Sequence, residues 1–150
     1  MTSASLSIEK RARIHIGQVP IDELTFEQAL EAIEALVLAG RGGTVHTPNV
    51  DHVVLAEHDG RFRRAYENAS LSLVDGMPVL WASHLLGTPL PVKISGSDLL
   101  GPLMERAALR GFKVYFLGGD PGVAEAARAK LLAKLPRLCV VGVDSSRVDV

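Results

Sequence analysis

Apolar positions along this chain switch repeatedly between a two-residue and a 3.6-residue period. Residues 12–17 set Ala12, Ile14 and Ile16 against Arg13 and His15, which predicts a strand. Residues 18–24 carry Pro20 and Asp22 and read as a turn or short hairpin arm. From Thr25 the period becomes helical, with Phe26, Ala29, Leu30, Ile33, Leu36 and Val37 on one face. Thr25-x-x-Gln28 has the form of a capping box, and Gly40-Arg41-Gly42-Gly43 ends the helix.

The alternation then repeats. Residues 44–47 predict a short strand, and 50–58 a helix that packs Val50, Val53 and Val54 and extends its buried face to Leu55 and Ala56. Asp59-Gly60 breaks that helix, and 61–68 form another. Residues 70–74 are a strand ending at Asp75, followed by a helix over 77–86 that carries Trp81 and stops at Gly87. Two prolines keep 88–96 irregular. Ser97 suits the N-cap of a helix over 98–110, and Gly111 suits its left-handed stop. A strand over 112–117, a turn over 118–122, a helix over 122–135 with Pro121 in its first turn, and a strand over 138–143 complete the chain.

Strands alternating with helices predict an α/β fold with an open, mainly parallel sheet covered on both faces. A tail over 1–10 and a single domain over 11–150 are expected. No helix is predicted after the last strand, so the sheet reads as incomplete at its C-terminal side. Its apolar edge would then be exposed or covered in a homo-oligomer.

Composition narrows the class. With 150 residues, 47% hydrophobic and 22% charged, the chain can bury a real core. A net charge of −1 implies no general affinity for nucleic acid or anionic lipid. Of the small basic clusters at 10–13 and 61–64, the first reads as a solvated face or a contact for acidic head groups. The one cysteine, Cys139, excludes an internal disulfide and reads as a core thiol, which fits a reducing cytoplasm. Residues 1–13 lack the apolar core of a signal peptide, and no apolar run is long enough for a membrane span.

Strand tips are where an open α/β sheet binds ligands, and several polar groups fall there. Asp75 follows Leu71, Leu73 and Val74 and precedes Gly76, so it can serve as a general base toward a hydroxyl or as the cap of the next helix. Thr47 and Asn49 flank Pro48 at the preceding tip, and Asn49 is either a ligand or the cap of the helix from Val50. His46, His52 and His58 lack a metal-ligand spacing and read as structural or solvated. Lys93 can neutralise a diphosphate, and Ser97 with Asp98 first reads as a helix start. Gly118-Gly119-Asp120-Pro121-Gly122 offers backbone N–H groups to an anion, or is only a tight turn. It lacks both G-x-G-x-x-G and a Walker lysine. Trp81 reads as core before it reads as a sugar platform.

Taken together, four motifs in order resemble one family. They are Thr47-Pro48-Asn49, Asp75-Gly76 before the helix with Trp81, Ser95-Gly96-Ser97-Asp98-Leu99, and Phe116-Leu117-Gly118-Gly119 with Pro121-Gly122-Val123-Ala124. Over nearly the whole chain this order is similar to the WecG/TagA/CpsF glycosyltransferases. The resemblance implies a Rossmann-like sheet and an inverting, metal-independent glycosyltransferase that needs no cofactor. It implies a UDP-sugar donor, commonly UDP-N-acetylmannosamine, and an acceptor sugar on undecaprenyl diphosphate. The product would enter a cell-surface polysaccharide, made in the cytoplasm with peripheral contact to the plasma membrane.

By the same resemblance Asp75 is the base, with Thr47 beside it in the catalytic pocket, and Asn49, Lys93, Ser95, Gly96, Gly118 and Gly119 bind substrate. Lys93 stands where the family often has Arg, which keeps the charge but not a two-pronged phosphate grip. Family members continue with further strands, helices and a membrane-binding tail, and residues 144–150 do not look like the family's loop. A truncated product is therefore expected. Its alternative functions are an inactive remnant, a nonenzymatic nucleotide-sugar-binding module, or a different α/β nucleotide-binding enzyme.

Overall fold

Gly17, at φ +58, reverses the chain between β1 (Arg13–Ile16) and β2 (Val19–Asp22), which pair antiparallel with Ile14 opposite Ile21. The structure, a computed structural model, describes residues 12–146. The expected tail over 1–10 and the last four residues lie outside them. The chain's contacts divide it into two units, one ending at Leu99 and one beginning at Leu100.

In the first unit the hairpin is followed by α1 (Phe26–Ala39), β3 (Val45–His46), α2 (Val50–His58), α3 (Gly60–Glu67), β4 (Leu71–Ser72) and α4 (Met77–Leu85). The capping box at Thr25 forms: Thr25 Oγ1 accepts from the Gln28 N–H at 3.3 Å, and Gln28 Oε1 accepts from the Thr25 N–H at 2.9 Å. Gly40 closes α1 in the left-handed conformation. β3 and β4 pair in parallel, Val45 with Leu71 and His46 with Ser72. Core residues include Ile16, Val19, Ile21, Ala56, Tyr66, Val74, Val79 and Leu90.

An ion pair ties the hairpin to β4. Arg13 grips Asp22 through Nε at 2.8 Å and a terminal nitrogen at 3.2 Å, and also donates to the carbonyl of Ala69 at 2.9 Å. The buried Asp22 carboxylate in turn accepts from the Ser72 N–H at 2.8 Å. The carboxylate is thus desolvated but fully engaged, the condition under which a buried charge is tolerated.

α5 (Gly96–Arg110) starts in the first unit and runs into the second. The second unit continues with β5 (Lys113–Leu117), α6 (Val123–Lys134) and β6 (Cys139–Asp144). β5 and β6 pair in parallel, with a register shift between Val114 and Tyr115. Gly142 lies beneath the Tyr115 ring, where a Cβ would collide. Met104, Ala107, Ala108 and Leu138 form this unit's core, with Leu103, Phe112, Val114 and Phe116 packed on it.

The α/β class expected from the alternation is the class observed. Its described strands form three short ladders, two of them parallel. Local expectations fail where burial depends on distant partners. Val50, Val54 and Leu55 are exposed, because α2 turns only Ala56 fully inward and half-buries Val53. Cys139 is exposed rather than core, being on the open side of β6 beside the buried Leu138. Trp81 is 63% exposed, because α4 buries Val79 and Ser83, each two positions from it and so on the opposite face. Pro121 precedes the first turn of α6, with Gly122 as the cap.

Candidate functional site

The β3–β4 ladder outlasts its formal strands. Leu71, Leu73 and Asp75 donate their N–H groups to the carbonyls of Thr44, His46 and Pro48 at 3.0, 2.8 and 3.0 Å. This alternate-residue rhythm is that of a parallel ladder carried to the tip. Pro48 has no N–H but its carbonyl still serves. On the other side, the Ile94 N–H donates to the Val74 carbonyl at 2.7 Å. Three segments, around 47–49, 75–76 and 93–96, therefore end together. A Cβ on Gly96 would lie 3.7 Å from Thr47 Oγ1.

Within this edge the side chains have different commitments. Asn49 caps α2, its Oδ1 accepting from the His52 N–H at 3.1 Å. Asp75 does not cap α4: Gly76 occupies that position at φ +87, and no side chain caps the helix. A residue with a Cβ would be strained there. The half-buried Asp75 carboxylate is thus left out of the helix it precedes. Thr47 is half-buried, and Pro48 is fully buried.

The third segment forms a polar knot. Ser95, not Ser97, caps α5: its Oγ accepts from the Asp98 N–H at 3.2 Å, and Asp98 Oδ2 accepts from the Ser95 N–H at 3.4 Å. The reciprocal pair is a capping box, Ser95-x-x-Asp98, starting two residues earlier than Ser97 would place it. Lys93 Nζ donates to Asp98 Oδ2 at 2.7 Å and to Ser95 Oγ at 3.4 Å. The Asp98 contact, above all, raises the Lys93 pKa, and the charge of Asp75 adds to it. The Lys93 hydrogen bond, followed by the Ser95 hydroxyl, holds the Asp98 carboxyl at about 2. Lys93 is therefore a cation already paired, close enough to Asp75 to feel its charge.

Behind the edge lies an aromatic cluster that the sequence did not reveal. Tyr66 Oη and His52 Nδ1 share a hydrogen bond of 2.8 Å, and the His46 ring meets Tyr66 edge-on at 5.0 Å. Burial pushes the Tyr66 phenol up to about 12. Burial first, and then the nearby His52, holds His46 below its ordinary value. These residues back the turn that carries Thr47 and the first turn of α2. Their sequence separation leaves no local signal. The Lys93–Asp98 pair had one, opposite charges straddling a helix start, but Asp98 read only as a first-turn acid.

Gly118 and Gly119 sit at the carboxyl end of β5 in the second unit, both at positive φ. The Gly118 N–H is taken by the Asp144 carbonyl at 2.7 Å, which removes it from any anion cradle. Among the described residues no group of three or more His, Cys, Asp or Glu could hold a metal ion. No helix among them is long and apolar enough to cross a membrane.

Residues 14–149 match the glycosyl transferase WecG/TagA/CpsF family. The chain belongs to that family. It is 28% identical over 138 residues to the N-acetylglucosaminyldiphosphoundecaprenol N-acetyl-beta-D-mannosaminyltransferase of Staphylococcus aureus strain NCTC 8325 / PS 47. The match covers 89% of this chain and 54% of that relative. Proteins of the same name from strains COL and MRSA252 match to the same extent. The chain thus spans about half the length of the curated relatives it matches.

Proposed function

We propose that the edge formed by Thr47, Asn49 and Asp75 is the acceptor-activating part of an inverting glycosyltransferase site. The acceptor is a sugar on undecaprenyl diphosphate, and the donor is a UDP-sugar carrying N-acetylmannosamine or a related hexose. The acceptor hydroxyl oxygen attacks the anomeric carbon as its proton passes to Asp75. The bond from that carbon to UDP breaks, UDP leaves as the diphosphate anion, and the configuration inverts. The product belongs to cell-surface polysaccharide synthesis at the cytoplasmic face of the plasma membrane.

One observation carries this reading: the backbone locks Asp75 beside Pro48 while leaving its carboxylate free of helix capping. A base must reach a substrate hydroxyl, and a carboxylate spent on a cap could not. Thr47 contributes a hydroxyl, and Asn49, whose Oδ1 serves the cap, contributes its amide N–H groups. Leaving-group charge has to be met by cations or N–H groups. Lys93 is the nearby cation and must exchange Asp98 for phosphate to serve. Ser95 and Gly96 shape that loop.

The test is turnover by this chain with UDP-N-acetylmannosamine and a polyprenyl diphosphate-linked N-acetylglucosamine. A β-linked disaccharide lipid from the α-configured donor supports the reading. UDP-sugar binding without product leaves the nonenzymatic nucleotide-sugar-binding module, and neither binding nor product rejects both.

A further inference from the structure

Tyr66 is a buried titratable group that the proposed chemistry leaves unused. It is 3% exposed, and its hydroxyl meets one partner among the described residues, His52 Nδ1 at 2.8 Å. Burial pushes the phenol up to about 12, so its proton stays on and needs an acceptor. That acceptor is Nδ1, which places the proton of a neutral His52 on Nε2. The opposite arrangement, with Nδ1–H donating to the phenol oxygen, would strand the phenol proton in the core. Phe62, on the same helix as Tyr66, meets the His52 ring edge-on at 5.5 Å. α3 thus holds the His52 ring by one hydrogen bond and one ring contact.

His52 is also where Asn49 is fixed. Its backbone N–H donates to Asn49 Oδ1 at 3.1 Å, which turns the Asn49 amide nitrogen away from α2. On the other side of Thr47 and Pro48, the His46 ring meets Tyr66 edge-on at 5.0 Å. One buried side chain therefore braces the chain just before Thr47 and just after Asn49. We propose that Tyr66, through its hydrogen bond to His52, is a positioning residue that sets the Asn49 amide to meet the acceptor sugar. The inference rests on the acceptor-activating edge of the proposed function. Plain core packing would need only the ring, because a phenylalanine fills the same space without burying a hydroxyl. The hydroxyl is what joins α3 to the residue that orients Asn49.

Tyr66→Phe separates the two roles, since it removes the hydroxyl and keeps the ring. Nuclear magnetic resonance on the nitrogen-labelled whole chain reads the Asn49 side-chain amide signals, assigned by their loss in Asn49→Ser. Those signals should shift and exchange faster with solvent in Tyr66→Phe, and stay in place in Ile16→Val, which trims the same core elsewhere. With a polyprenyl diphosphate-linked N-acetylglucosamine, Tyr66→Phe should raise the acceptor's KM about 2–10-fold, the worth of one hydrogen bond, with kcat little changed. UDP affinity by calorimetry should not move. His52→Asn, whose Oδ1 can stand in for Nδ1, should keep the KM of the unaltered chain, and His52→Leu should match Tyr66→Phe. Asn49 signals unmoved in Tyr66→Phe, or moved equally in Ile16→Val, overturn the inference, as does a neutral His52 that carries its proton on Nδ1. The spectra need no turnover, so an inactive chain counts against the glycosyltransferase reading while the Asn49 signals still decide this one.

Discussion

The Asp75 N–H donates to the Pro48 carbonyl across 3.0 Å. That bond closes a ladder begun at Thr44 and Leu71, and it fixes which residues share the edge. Thr47 and Asn49 flank the acceptor carbonyl, so all three polar residues are positioned by backbone geometry. Side-chain substitutions at Thr47 and Asp75 should therefore change chemistry more than fold, whereas Asn49 also caps α2.

Gly96→Ala tests how tightly Thr47 is approached. The new Cβ would lie 3.7 Å from Thr47 Oγ1, an ordinary contact, and Gly96 is not at positive φ. Alanine in a helix's first turn is also intrinsically favourable, by up to about 1 kcal/mol over glycine. We expect unchanged or slightly higher thermal stability and a raised KM, since the methyl occupies space that a sugar would use. An unchanged KM would place the substrate elsewhere.

Asp98→Asn tests the commitment of Lys93. Removing the charge frees the ammonium, and UDP should bind about 2–5-fold tighter by calorimetry, the scale of one exposed ion pair. Lys93→Gln should bind UDP more weakly. Equal affinities in all three proteins would confine Lys93 to the knot at the start of α5. Because the Asp98 carboxyl is held at about 2, below its ordinary 3.8, its stabilising contribution is complete above 3.8 and is lost only as pH falls from 3.8 toward 2.

Arg13→Met should destabilise the chain by about 3–5 kcal/mol, because it strands the buried Asp22 carboxylate. Adding Asp22→Leu should recover part of that loss in urea denaturation. Equal stability of wild type and the single variant would mean that Asp22 finds other compensation.

His46 supplies a pH dependence in a separate window. Its folded pKa is lowered from 6.5 by burial and by His52, so the unfolded chain binds the proton more readily. Stability is complete above pH 6.5 and declines as pH falls below it toward the lowered value. Urea midpoints should drop through that window and be flatter in His46→Phe. A flat profile in the unaltered chain would remove His46 from the account.

Most elements were legible because period and stop signals are local. Thr25-x-x-Gln28, Gly40 and Asp59 act in the structure as their residue types imply. The shared edge was legible too, since an apolar run ending in Asp75 or Thr47 places the polar group at a strand tip. What the sequence could not specify was covering. A helical stripe through Trp81 or Val54 shows which face is apolar, not what lies against it, and both residues are exposed. The Ser95 cap was present as Ser95-x-x-Asp98 but competed with Ser97, and only backbone geometry decided between them. The His52–Tyr66 bond joins two helices, a long-range contact with no local signature.

The most direct test of the central claim is Asp75→Asn, with turnover and UDP affinity measured on the same preparation. Asparagine keeps the size and hydrogen-bonding shape of the side chain but cannot accept the proton. General-base catalysis is worth about 10²–10⁴ in rate, so kcat should fall by that factor while UDP affinity and the melting temperature stay within error. Unchanged turnover in Asp75→Asn would contradict the account and remove Asp75 from the reaction.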